Sequence, residues 1–357
     1  VIAWWRHLAP ARAAPFVVVV RDGDALAGLA PLYAQGGLRG AALGLRLPGG
    51  ELGGRLAPLA VRGREATVAQ ELARALAAGA PHAGLVTLED MPLQPDWSAA
   101  LRERWPGRRR PVCRRYQLSA SPTVALREDS FESWLSAKSS NFRREMRRLR
   151  RQFAAAGGAT RTSTPATLVA DVEAFVRLHA ARWQDRGSSF TRLGARLGAV
   201  LNDIGAELLA REGRFRMRVL ELDGQPVSAQ LFLAAGGRVL YVNGGWDERY
   251  ARLKPSMLGI LDTIEEAFER GERCVDLGPG EQHYKQRFAD GDDPLAWTVL
   301  VPPGPGMPLR TLRVLAPRGE AALRGLLKAR LSERQLARLR RLRAGVAGDT
   351  ARLQDTG

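Results

Sequence analysis

Two stretches of this chain combine residue types that can do chemistry. In the first, Cys274-Val-Asp-Leu-Gly-Pro-Gly280 reads as a short strand closing in a Gly-Pro-Gly turn. The helix after it, expected over 281–289, carries His283, Tyr284, Lys285 and Arg287. A tyrosine and a lysine at a helix start that faces a strand end can protonate a leaving group or hold an anion. The plainer alternative puts Tyr284 in the core and Lys285 in solvent. In the second stretch, the strand Val239–Gly245 runs through a loop, Trp246–Pro255, into a helix starting at Ser256. A helix start offers free backbone N–H groups and a favourable dipole to an anion. Arg252 and Lys254 stand just before it, and Pro255 suits an early helical position. This arrangement fits a pyrophosphate; the alternative is an ordinary connection with a surface lysine. Glu221, Asp247, Glu248 and Asp276 are candidate bases, or else surface and cap residues, whereas His179 reads as a helix-packing histidine.

Other chemistries lack their signatures. The chain has no Walker A loop, G-x-S-x-G elbow, H-E-x-x-H pair or G-x-G-x-x-G turn between strand and helix. Four isolated histidines and two distant cysteines, Cys113 and Cys274, give no zinc spacing, so no metal is expected. The cysteines read as two free thiols in a reducing compartment.

The elements that must position these residues follow from periodicity. Phe16–Arg21 and Ala25–Leu32 flank Asp22-Gly23-Asp24, and Arg216–Leu222 and Val227–Ala234 flank Asp223-Gly224. Asp-Gly between apolar runs signals a hairpin. A Gly-rich strand and loop region extends through Gly54. Val68, Leu72 and Leu76 place a helix over Glu65–Ala78. Gly84–Leu88 and Arg114–Leu118 read as strands, the latter as the last of a first lobe. From Phe131 to Ala156 the sequence reads as strongly helical, with Phe142, Met146, Leu149 and Phe153 on one stripe and arginines elsewhere. Helices follow over Asp171–Asp185, Leu193–Arg211 and Ser256–Arg270, the last ending at Gly271. Arg238–Asn243, Cys274–Leu277 and Trp297–Val301 are strands. Both halves thus share an order of hairpin, strand, helix, strand, helix, strand, a weak internal duplication.

The 357 residues suffice for two domains, and 45% hydrophobic with 25% charged residues is ordinary globular composition. The longest apolar run, Phe16–Val20, is too short to span a bilayer, and no signal peptide is evident at the start. The protein is expected in the cytoplasm, with contact to an anionic inner membrane face as an option. The net charge of +17 favours anionic partners, although an arginine-rich composition alone produces it. Aromatics are only 6% and scattered, which disfavours nucleic acid. Beyond Pro302–Pro308, Leu323, Leu326, Leu327, Leu331, Leu336, Leu339 and Leu342 recur at helical spacing among arginines. This tail is expected to dock, to dimerise or to lie on a membrane.

Residues from about 139 to 289 resemble the CelD-like acetyltransferase domain of the GNAT superfamily. The likeness is carried by the Arg-rich helix Phe142–Arg151, by Leu178-His179-x-x-Arg182-Trp183 and by the hairpin Leu220–Phe232. It continues in Tyr241…Trp246-Asp247, Lys254-Pro255-Ser256 and Asp276-Leu-Gly-Pro-Gly280…Tyr284-Lys285. The last element is similar to the Tyr-Lys motif of FemAB-type transferases, and residues 1–120 resemble their degenerate first lobe. The resemblance implies an α/β fold with mixed sheets: tandem GNAT-like lobes over 1–125 and 126–303, then a basic helical tail over 304–357. It implies acyl-CoA as donor and an amine, on an amino sugar or polysaccharide precursor, as acceptor. Tyr284, Lys285 and Asp276 would be catalytic. Tyr241, Val242, Asn243, Arg252, Lys254, Pro255, Ser256 and Met257 would hold the donor. Backbone amides of Leu240–Gly244 would meet the thioester carbonyl. The motif Arg252-Leu-Lys-Pro255-Ser-Met257 departs from the superfamily's small-residue pattern, an erosion shared with FemAB-like proteins, some of which use aminoacyl-tRNA. That donor, or a non-catalytic basic scaffold of a polysaccharide complex, is the alternative. The acceptor is expected in the cleft between lobes.

Overall fold

The computed structural model describes residues 1–36, 43–53, 55–79, 83–183, 189–209, 213–280, 282–304 and 306–315. The leucine-rich tail from 316 onward lies outside the described residues, as does part of the Gly-rich region. By contacts, residues 1–305 form one compact unit and 306–357 another. In the second unit, one helix, Met307–Leu315, is described.

Within the first unit both Asp-Gly hairpins form. Strands β1 (Ala13–Asp22) and β2 (Ala25–Gln35) pair antiparallel, as do β9 (Phe215–Leu222) and β10 (Gln225–Ala235). Asp223 and Gly224 both take positive φ, 50° and 71°, the left-handed turn that matches strand twist. Each hairpin is extended antiparallel by a third strand, β3 (Leu43–Arg46) or β11 (Arg238–Trp246). A crossover helix, α2 (Glu65–Gly79) or α9 (Pro255–Glu269), then leads to a parallel partner, β5 (Ala83–Pro92) or β12 (Cys274–Asp276). The internal duplication is therefore real at the level of topology.

The sheets do not divide at residue 125. Strand β7 (Pro122–Ala125), not expected as a strand but within the bounds given to the first lobe, pairs with β12 of the second sheet. Strand β14 (Leu295–Val301), expected to close the second lobe, inserts between β5 and β6 (Val112–Ser119) of the first. The first sheet runs β1-β2-β3-β5-β14-β6, with β4 (Leu59–Ala60) on β2. The second runs β13-β7-β12-β11-β10-β9-β8, where β8 is Gly158–Thr162 and β13 is Gly291–Asp292. Each sheet borrows a strand from the other half of the chain, so the boundary at 125 does not follow the sheets. Local patterning could not show this, because strand exchange preserves every local apolar pattern.

The second sheet is covered on both faces. On one lie α9 and the arginine-rich helix, whose Phe142, Met146, Leu149 and Phe153 are all buried. Each such side chain contributes about 1.5–3 kcal/mol of transfer free energy. The stretch Phe131–Ala156, expected to be helical, forms two helices, α4 (Phe131–Ala137) and α5 (Ser140–Ala155). Lys138 is extended, and the Ser139 side chain caps α5 by accepting from the Phe142 amide at 3.3 Å. The other face carries α6 (Leu168–Trp183) and α8 (Arg196–Leu209). Among the described residues no helix is long and apolar enough to cross a membrane.

Candidate active site

The parallel pair β11–β12 is short. Arg238, Val239 and Leu240 pair with Cys274, Val275 and Asp276, and there the ladder stops. Strand β11 continues to Trp246 while the chain after β12 turns away at Gly278, whose φ is +73°. A Cβ at Gly278 would come within 2.7 Å of the Tyr241 carbonyl oxygen, so glycine is needed twice over. At the same level β11 bulges: Leu231 faces Asn243 and Phe232 faces Tyr241, which leaves Val242 without a partner on β10. A bulge re-aims backbone groups and side chains beside a site. Divergence and bulge together open a wedge of about 690 Å³.

Three elements converge on this wedge. Tyr241, Val242 and Asn243 line it from β11; Lys254, Pro255, Ser256 and Met257 from the start of α9; Tyr284 and Lys285 from α10 (His283–Phe288). The start of α9 has no side-chain cap and no acidic residue in its first turn. Lys254 immediately before it holds positive φ, 47°, in a turn that aims the helix at the cleft. An uncapped helix start beside a lysine suits a phosphate. Pro255 at the first helical position supplies no N–H.

At the opposite end, Lys285 is 4% exposed, and its Nζ donates to the carbonyls of Gly278 (3.1 Å) and Pro279 (3.0 Å). Burial pulls its pKa down to about 8, against the opposing charge of Asp276. Burial pushes Tyr284 up to about 12, and a hydrogen bond from Tyr241 draws it back in part. Tyr241 is raised well above its ordinary value, first by burial and then by Tyr284. At neutral pH both phenols are therefore donors. Buried Gln230, in the middle of β10, supports this pair and donates to the Ser256 carbonyl at 3.0 Å. Gly259 makes room for it, since a Cβ there would collide with the Gln230 Oε1.

Two residues expected in the site are elsewhere. Asp276 is fully buried and does not reach the wedge; it accepts from Ser121 Oγ, Gly278 N, Arg55 and Arg238. Arg252 sits exposed on a 3-10 turn and does not line the cleft. Of the other candidate bases, Glu221 accepts from Arg161, Glu248 pairs with Arg182, and Asp247 caps the 3-10 turn. Among the described residues, none that lines the cleft is a carboxylate. His179 is buried on α6 between the rings of Phe175 and Trp183, and burial lowers its pKa to about 4.

Sequence reasoning assigned no role to the far wall, made by Arg182, Trp183 and Trp246, or to Leu52 and Gly53 of the first lobe. The Arg182 guanidinium lies over the Trp246 ring at 4.9 Å, and Trp183 Nε1 donates to the Gly244 carbonyl at 3.2 Å. The signal available was two tryptophans in polar stretches, each adjacent to a charged residue.

Comparison with known proteins agrees with this geometry. A family model described as an acetyltransferase (GNAT) domain matches residues 140–286. Among solved structures, FemX is similar with a TM-score of 0.54 at 10% identity, over 80% of this chain and 88% of that one. The C-terminal domain of a protein described as a lysylphosphatidylglycerol synthetase, from Agrobacterium fabrum, gives 0.51 at 12% identity, over 80% and 83%. L-PGS from Bacillus licheniformis gives 0.50 at 12% identity, over 84% and 87%. No curated protein matches in sequence. The wedge between β11 and β12, the helix start that faces it and the family match agree: residues 140–286 of this chain match a GNAT acetyltransferase domain, and its fold is similar to that of FemX.

Proposed function

We propose that the protein transfers an acyl group from acyl-CoA to an amine, by direct attack within the wedge. The observation that carries this reading is the uncapped start of α9 opening onto the same cleft as Tyr284 and Lys285. The helix start and Lys254 would hold the donor's phosphates. Backbone amides of β11 freed at the bulge would face the thioester carbonyl oxygen as charge develops there. The amine nitrogen forms the new C–N bond, the C–S bond breaks, and Tyr284 gives its proton to the departing thiolate. Solvent takes the proton lost by the amine and restores that of Tyr284. The Lys285 ammonium adds positive potential to the oxyanion. With no carboxylate among the described residues that line the cleft, the acceptor amine would enter already neutral. A phosphate-bearing amino sugar or polysaccharide precursor suits the cations and tryptophans of the far wall. The free thiols of Cys113 and Cys274 fit a reducing, cytoplasmic setting.

A second reading, an aminoacyl-tRNA donor, is favoured by Pro255, which removes one amide from the phosphate cradle. Exposed Arg144, Arg147, Arg148 and Arg151 on α5 add to it. Calorimetric titration with acetyl-CoA and longer acyl-CoAs at moderate and high salt tests both. Saturable micromolar binding that survives salt and is lost in Lys254→Glu supports the CoA reading. Absence of binding, or binding abolished by salt alone, rejects it in favour of the tRNA donor.

A further inference from the structure

Two aspartates and two arginines form a closed square behind the wedge. Asp276 Oδ2 accepts from Arg55 Nε at 2.5 Å and from Arg238 at 3.2 Å. Asp293 Oδ2 accepts from the same two arginines at 2.8 and 3.1 Å. The parts come from different places: Arg238 opens β11, Asp276 ends β12, Asp293 precedes β14, and Arg55 belongs to the first lobe. Asp276 is 0% and Arg55 13% exposed, so their pairing is little screened by solvent.

The square is connected to the cleft on both sides. Asp276 Oδ1 accepts from the Gly278 amide at 2.9 Å, which fixes the turn whose next two carbonyls receive Lys285 Nζ. Arg55, for its part, follows closely on Leu52 and Gly53, which wall the cleft from the first lobe. On the far side of that wall Glu51 accepts from Trp4 Nε1 at 2.9 Å. The first-lobe wall is thus tied at both of its ends, one of them to the carboxylate that shapes the seat of Lys285.

Composition makes the lysine informative. Only four of the 54 basic residues are lysine, at 138, 254, 285 and 328, and two of those four line the cleft. In a chain that otherwise uses arginine for positive charge, Lys285 is retained where a compact, titratable amine differs most from a guanidinium.

We propose that Arg55 is a positioning residue for Lys285: acting through Asp276, it joins the first-lobe wall of the cleft to the carbonyl seat of the lysine. The first lobe is then a working part of the active site. This rests on the wedge being the reaction site, but its test requires no substrate. The groups facing Lys285 are Asp276 behind it, Tyr241 across from β11, Tyr284 on its own helix, and Lys254 and Arg182 across the cleft.

The experiment is competitive labelling of the intact protein with trace acetic anhydride from pH 6 to 11. Mass spectrometry reads the titration of each lysine separately, and circular dichroism confirms folding. In the parent protein Lys285, its pKa pulled down by burial, is expected to titrate at about 8. Arg55→Ala takes away one of the two cations paired with Asp276 and unties the wall, so the Asp276 charge acts more strongly on Lys285 and its midpoint moves up, toward the ordinary lysine value of about 10.4. Asp276→Asn removes the stabilising negative charge of Asp276 while an amide oxygen still receives Gly278 N, so the midpoint moves down. Opposite shifts support the proposal. A merely structural role loosens the fold in both variants and moves both upward; that result, or no shift in either, overturns it. Should Arg55→Ala fail to fold, Arg55→Gln keeps a hydrogen-bonding side chain and must give the same upward shift.

Discussion

Lys254 Nζ lies 2.5 Å from Glu145 Oε1, joining the turn before α9 to the middle of α5. The other oxygen of Glu145 receives Arg287 from α10. One carboxylate therefore gathers the two helices that flank the wedge. Arg287, then burial opposing it, then Lys254 set its acidity, and the net effect lowers its pKa to about 2.

Glu145→Gln is expected to cost about 1 kcal/mol at pH 7, a modest figure because Lys254 is 43% exposed and the pair is partly screened. The carboxyl's folded pKa lies below its unfolded value of about 4.3. Its contribution is therefore fully present above that value and lost as pH falls through about 2. Urea titrations of parent and variant from pH 7 to pH 2 should converge only at the acid end. Convergence already at pH 5 contradicts the assignment.

Tyr284→Phe removes the proton donor while keeping the ring. The acyl-transfer rate is expected to fall by roughly 10²–10⁴-fold with little change in melting temperature. Steady-state assays with the preferred acyl-CoA measure this, and a variant with parental kcat excludes Tyr284 as the acid.

The rate should also decline as pH rises through about 8. Below that value Lys285 carries its proton and stabilises the oxyanion; above it the charge is lost. Tyr284, at about 12, titrates too high to produce this limb. A pH–rate profile of Lys285→Met should be slower throughout and flat across the same range. A limb that persists there belongs to another group.

Gly245 lies on β11 against the backbone of α6, where an added Cβ would run into Leu178 and His179. Neither is a side chain that can swing aside. Gly245→Ala should destabilise the fold by about 1–3 kcal/mol, as overpacking does, and a denaturant melt would read it.

Much of the local structure was legible from single residues and their spacing. Asp223-Gly224 marks its own turn, and Phe142, Met146, Leu149 and Phe153 bury as their period requires. Strand β8 escaped notice because Gly-Ala-Thr-Arg-Thr is a polar edge strand; it is secured through Arg161, which pairs with Asp171 and Glu221. Asp276 shows where the reading of a site stops. A carboxylate beside a Gly-Pro-Gly turn looks catalytic in sequence, and only the arrival of Arg55, 221 residues away along the chain, shows it occupied. The wedge itself lay at the strand-to-helix junctions where backbone groups are free, and those junctions leave local marks such as Lys254-Pro255. Its far wall is tertiary, since nothing near Leu52 announces that it will stand beside Trp183.

The exchange of β7 and β14 has a bearing on synthesis. As the ribosome extends the chain, six strands of the first sheet emerge early, but the gap between β5 and β6 stays open until residues 295–301 have been made. Nascent β5 and β6 therefore present unpaired edges through most of translation, a state prone to wrong pairing. Neither lobe is a cassette that can be cut out and expressed alone. A truncation at residue 125 would keep β7, stripped of β12, and lose β14, so each half would carry a strand that belongs to the other.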